Sequence, residues 1–253
     1  MLRLVEGPAV ADVLDPYRGV DRIRPSGGAW VLANMVGGLD GTAAIGGRVG
    51  ALTGGADAEL FRRLRAVADV VLVGAATVRA EGYGPVRLPE DLRAERRAAG
   101  RPDVPPVAVV SASLRLDWSS SLFTDAERPT MVVTTPEAAA GPTGPEARRH
   151  AEVPEVDPPA GGGGVAVPDL LAALADRGHR VVLCEGGPAL LGELVAAGRL
   201  DELCLTVAPL VGGDPLPVVR TPPGAPLRGF ALRHVALDDG ALFLRYEAVP
   251  DAR

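Results

Sequence analysis

The 253-residue chain has no lysine, so all 26 of its basic residues are arginine. That absence excludes lysine Schiff-base chemistry and the Walker A phosphate loop, whose lysine must reach the phosphates. Cysteine is almost missing too. Cys184 and Cys204 lie inside apolar runs rather than in paired motifs, which rules out a disulfide framework or a cysteine-rich zinc site. The histidines at 150, 179 and 234 fall in no motif, and no metal site is expected. Long apolar runs are also lacking. Val70 to Val73 and Leu203 to Pro209 stop far short of the roughly 20 residues that cross a bilayer. Positive charge is in deficit, 26 basic against 32 acidic residues for a net charge of −6, which argues against a nucleic-acid or anionic-membrane partner. Met1 to Gly19 carries acids and prolines without an apolar core, so no signal peptide is read and a cytoplasmic location is expected.

What is present suits a packed enzyme-sized domain. An apolar content of 47% is ample for a core. The pattern divides into an N-terminal extension, residues 1–28, packed on one domain, residues 29–253. Strands are expected at Ala29 to Val36, Val70 to Val73, Val107 to Val110, Met131 to Val133, Val181 to Cys184 and Leu203 to Ala208. Helical spacing appears at Asp57 to Val67, with Leu60, Phe61, Leu64 and Val67 on one face and Arg62, Arg63 and Arg65 on the other. Further helices are read at Leu88 to Ala99, Asp169 to Ala175 and Ala189 to Ala197, and mobile surface at Pro136 to His150 and Val153 to Gly164. Leu232 to Val249 alternates about Asp238-Asp239-Gly240, the form of a hairpin. Strands alternating with helices and closed by a hairpin give an α/β fold with an antiparallel edge.

Two junctions carry the chemistry. Val181-Val-Leu-Cys runs into Glu185-Gly186-Gly187-Pro188 and then a helical pattern, and Val70-Val-Leu-Val runs into Gly74-Ala-Ala-Thr77. Glycine allows close backbone approach, proline suits the first helical position, and the free N–H groups of a helix start favour an anion. Either junction alone is equally a plain turn; two of the same type favour a shared anionic ligand.

Asn34-Met-Val-Gly-Gly-Leu-Asp-Gly41, Leu64 to Thr77, Glu185-Gly-Gly-Pro188 and Asp201 to Gly212 occur in an order and spacing that resembles the reductase domain of bacterial riboflavin biosynthesis, over roughly Trp30 to Tyr246. Ala80 to Gly84, Ala-Glu-Gly-Tyr-Gly, looks like the stand-alone actinobacterial members. The resemblance implies a dihydrofolate-reductase-like fold, a mostly parallel sheet flanked by helices, and a homodimer. It also implies hydride transfer from NADPH to a pyrimidine ribosylamino 5′-phosphate, opening the ribosyl group to a ribityl chain. Under it, Gly37, Thr53, Gly74, Thr77, Glu81, Ser113, Arg115, Gly186, Gly187, Pro188, Ala189 and Leu190 would contact the cofactor. Asn34, Arg87 and Glu185 would contact the small-molecule substrate, and Asp40 and Glu185 would serve as catalytic carboxylates. Each has a plainer reading: Asp40 as an Asp-Gly turn, Thr77 as a helix cap, Ser113 and Arg115 as turn residues, and Arg87 as a solvated surface arginine. The family often has lysine where Asn34 stands and tryptophan where Ala51 stands, which leaves dihydrofolate or another pteridine-like ring as an alternative substrate. A non-catalytic nucleotide-binding protein is the alternative of a different class. The zinc deaminase motifs, His-x-Glu and Pro-Cys-x-x-Cys, are absent from the sequence.

Overall fold

A computed structural model describes residues 10–24, 26–159 and 162–249. In chain order the elements are β1 (Trp30–Gly37), α1 (Gly55–Leu64), β2 (Val70–Gly74), α2 (Ala75–Glu81), α3 (Glu90–Ala98), β3 (Val107–Val110), α4 (Ser121–Thr124), β4 (Met131–Val133), α5 (Pro136–Ala140) and α6 (Gly144–His150). They continue with α7 (Val167–Asp176), β5 (Val181–Cys184), α8 (Pro188–Ala196), β6 (Glu202–Val207), β7 (Phe230–Asp238) and β8 (Ala241–Ala248).

The strands form one eight-stranded sheet in the order β4-β3-β2-β5-β1-β6-β8-β7. The first six are parallel, and β8 and β7 close the sheet antiparallel. This is the expected α/β architecture. Continuous apolar strands such as Val70-Val-Leu-Val are buried on both faces, as parallel strands must be. One core layer places Leu60 and Leu64 of α1 and Leu92 of α3 against Leu32, Val71 and Leu183. The other places Leu170, Leu171 and Leu174 of α7 and Leu191 and Leu194 of α8 against Val31, Leu72 and Val182. The hairpin turn forms at Asp239 and Gly240, both at positive φ, the requirement of a two-residue turn between twisted strands.

Three expectations need correction. Pro136 to His150 is α5 and α6, started by proline in each first turn and, for α5, by Thr135 capping Ala138. The following segment is tied down at its start: Val132 N–H donates to the Glu152 carbonyl, Val156 N–H donates to the Thr134 carbonyl, and the Val156 side chain is buried. Arg65, placed on the solvent face by helical spacing, is buried instead, because α1 ends at Leu64 and a 3₁₀ turn over Arg65–Val67 rotates it inward.

Residues 10–24 lie against the domain. Leu14 and Tyr17 are buried in its core, and Arg22 donates twice to the fully buried Glu202 carboxylate, at 2.9 and 3.0 Å. No helix among the described residues is long and apolar enough to cross a membrane.

Candidate active site

The C-terminal ends of β2, β5 and β1 are neighbours in the sheet, and there the two glycine junctions meet. In open parallel sheets that edge is where ligands bind. Gly74 closes β2 and caps α2; Gly187 follows β5 and caps α8, with Pro188 in the first helical turn. The Gly74 N–H donates to the Gly186 carbonyl at 2.8 Å, and Gly186 sits at φ +87°, open to glycine at little cost. The Gly186–Gly187 peptide is cis. The sequence assigns the bareness of Gly187 to ligand approach, but its nearest constraint is internal: a Cβ there would lie 2.6 Å from Thr77 Oγ1. Thr77, Gly74 and Gly187 therefore form one surface. Above it the first N–H groups of α8, at Ala189 and Leu190, have no acceptor within the helix.

Gly37 ends β1 in the same rim; a Cβ on it would meet Val218 Cγ2 at 2.4 Å. On β1, Asn34 is buried and its Oδ1 has no hydrogen-bond partner among the described residues. A buried carbonyl without a donor is costly and points to a ligand group.

Glu185, expected free at the rim, is buried and paired. Its side chain is 1% exposed. Arg65 donates to it through Nε at 2.8 Å and Nη2 at 2.7 Å, and Tyr83 Oη donates to the same carboxylate. Arg65 also donates to Tyr83 Oη at 3.0 Å and lies 4.4 Å from the Phe61 ring centroid. Burial by itself would lower the Arg65 pKa, yet the Glu185 charge outweighs it and holds the guanidinium protonated. Burial first, and then the Glu185 charge, pushes the Tyr83 phenol well above its ordinary value. Arg65, Tyr83 and Glu185 thus form one buried, mutually hydrogen-bonded cluster.

Asp57 is a carboxylate the sequence reading left in a helix start. It is 5% exposed at the first turn of α1, and burial raises its pKa while the Thr206 and Thr53 hydroxyls facing it oppose the rise. Thr206 stands on β6 opposite Val36 of β1, so Asp57 faces the same sheet edge. Thr53, expected at the cofactor, is here a partner of Asp57.

The remaining expected residues divide. Asp40 is a turn residue: its carboxylate accepts from Thr42 N–H at 3.1 Å and Gly212 N–H at 2.7 Å, bonds that lower its pKa. Those two bonds fit the reading of Asp40 as the Asp-Gly turn residue. Glu81 accepts from Val49 N–H at 2.9 Å and so ties α2 to the 45–50 loop rather than standing free. Ser113 and Arg115 are exposed in the loop after β3, where Arg79 donates to the Arg115 carbonyl at 3.1 Å. Arg87 donates to Glu127 at 3.2 Å and to the Asp125 carbonyl at 2.9 Å, which fits its plainer reading as a surface arginine.

Comparison with known proteins matches this architecture. A family model described as the RibD C-terminal domain covers residues 29–239. A 2,5-diamino-6-ribosylamino-4(3H)-pyrimidinone 5′-phosphate reductase of Archaeoglobus fulgidus is 28% identical over 166 residues, 64% of this chain and 72% of that one. The riboflavin biosynthesis protein RibD of Bacillus amyloliquefaciens is 28% identical over 172 residues; the match takes in 64% of this chain but only 39% of that longer protein. Among solved structures, a pyrimidine reductase-like protein of Corynebacterium diphtheriae superposes with a TM-score of 0.77 at 26% identity, over 88% of this chain and 93% of that one.

Proposed function

Because the chain belongs to the RibD C-terminal domain family, we propose that it is an NADPH-dependent, cytoplasmic reductase that opens and reduces the ribosyl group of a pyrimidine ribosylamino 5′-phosphate. The observation that carries this reading is the shared surface of Gly74, Thr77 and Gly187 at the carboxyl edge of β2 and β5. It fits a pyrophosphate: no Cβ stands in the way, Thr77 offers a hydroxyl, and Ala189 and Leu190 offer unpaired N–H groups at a helix start. NADPH, when bound, supplies the hydride. The protein aligns donor and acceptor and handles the proton.

In this reading Asn34 Oδ1 accepts from an N–H of the substrate ring, which satisfies the orphaned carbonyl. Asp57, whose pKa burial raises, stands at the same edge as the buried carboxyl that would serve as proton donor to the substrate. Arg65 walls the site, oriented by Glu185 and Tyr83. The Asn34 and Arg87 geometry favours a second reading, a pteridine-like ring without a phosphate: the basic residue common at position 34 is lost, and Arg87 is committed to Glu127. A binding protein without turnover would retain NADPH binding but oxidise it with neither substrate. Loss of nicotinamide absorbance, measured with each substrate in turn, separates these outcomes. Failure of NADPH to bind overturns both enzyme readings.

The same proposal includes a homodimer. On one face of β6, β8 and β7, Leu203, Leu205 and Val207 pair with Tyr246, Leu244 and Leu242, which pair in turn with Leu232, Val235 and Leu237. All are partly or fully exposed. A continuous apolar sheet face of this kind is a surface for association.

A further inference from the structure

At the opposite end of the sheet from the glycine junctions, residues 14–23 and the starts of β2 and β5 border an open cleft of about 520 Å³. Its size falls within the roughly 300–1,000 Å³ of small-molecule sites. Ile23 and Val67 give it exposed apolar surface, and arginines with Asp69 and Glu95 border the rest. Most of that charge is already matched. Arg18 is paired with Asp12 and Glu95, Arg22 with Glu202, and Arg101 with Asp69.

Two arginines are not matched. Arg96 is 3% exposed and meets no carboxylate: its Nε donates to the Pro102 carbonyl at 2.7 Å, and its Nη1 donates to those of Ala66 and Ala68 at 2.9 and 2.6 Å. Its Nη2 makes no hydrogen bond among the described residues, while the residue borders the cleft. Burial, with Arg101 adding to it, pulls the Arg96 pKa down to about 10, the mark of a cation short of counter-charge that still remains protonated at neutral pH. Arg180 borders the same cleft, is exposed, and has no side-chain partner among the described residues. Asp69 does not compensate it, since Asp69 Oδ2 accepts from the Arg180 and Val181 N–H groups and Oδ1 faces Arg101.

We propose that this cleft is a second binding site, separate from the reductase cleft, for a phosphorylated small molecule of mononucleotide size, with the phosphate on Arg96 and Arg180 and the ring against Ile23 and Val67. Planar guanidinium forks suit phosphate, and a desolvated, unpaired one is strengthened by it. Arg96 also grips the carbonyls on either side of Val67, in the turn that carries Arg65, so an anion on Arg96 bears on the backbone that presents Arg65 to Glu185.

AMP titrated into the full chain and followed by backbone amide NMR tests the site. The expected result is saturable shifts at Val67, Ala68 and Val181, weakened by salt and at least tenfold weaker in Arg180→Glu, a surface substitution that leaves the fold intact. Thr77→Val, in the proposed cofactor surface, should leave these shifts unchanged. Shifts confined to residues 74–77 and 185–190, affinity indifferent to Arg180→Glu, or no binding at millimolar AMP would overturn the proposal. None of these outcomes depends on reductase activity, so failure here is distinct from failure of the proposed function.

Discussion

Asp57 and Glu185 are two buried carboxylates with opposite environments. Glu185 is matched by a bidentate guanidinium, so removing it strands Arg65 as an uncompensated buried charge. Glu185→Ala should therefore cost about 3–5 kcal/mol of unfolding free energy, read by urea denaturation, and Glu185→Leu combined with Arg65→Met should cost less than Glu185→Ala alone. Asp57 faces hydroxyls and meets no cation among the described residues. Its folded pKa lies above its unfolded one, so the native state binds the extra proton and stability falls as pH rises through the unfolded pKa to the folded one. Asp57→Asn should flatten that fall in a pH series of melting curves while lowering turnover, and should remove the titration of kcat that an acid group imposes. Neither environment was legible in the sequence. Arg65 looked like one of three surface arginines because its partner lies 120 positions on, and Asp57 looked like an ordinary helix-start acid because Thr206 reaches it only through the sheet.

The elements were far more legible, since what defines them is local. Strand runs, the Gly-Gly-Pro junction and the Asp-Asp-Gly turn are written in neighbouring residues, and each appears where punctuation and periodicity place it. Local rules do not show which junctions touch. Gly187 reads as a ligand-facing glycine, yet the structure packs it on Thr77 from a different βα unit. Gly187→Ala should accordingly lose about 1–3 kcal/mol by overpacking. Thr77→Ala beside it should recover part of that loss, and a double-mutant cycle in urea should show coupling of at least ~0.5 kcal/mol. Gly192 is a similar case inside α8. It looks like a weak point in a helix, but a Cβ there would lie 1.9 Å from the Arg220 carbonyl, so Gly192→Ala should destabilise despite alanine's better helix propensity.

At the scale of the whole molecule, the two faces of the sheet are covered unequally past β1. Beyond it, β6, β8 and β7 bury Phe243 and Cys204 on one side and leave the leucine-rich side open. Alternation in Leu232 to Val249 indicated two faces; which of them stays open depends on the order in which strands join the sheet. Leu232 and Leu237, 50% and 69% exposed, contribute little to the monomer core, so Leu232→Glu with Leu237→Glu should leave the melting temperature of the isolated chain nearly unchanged. In an assembly built on this face, however, the same pair places four carboxylates in an apolar interface, a cost that association cannot offset. Light scattering after size exclusion should move from a two-chain to a one-chain mass. A variant that remains a dimer would place the interface elsewhere and leave this apolar face without an occupant.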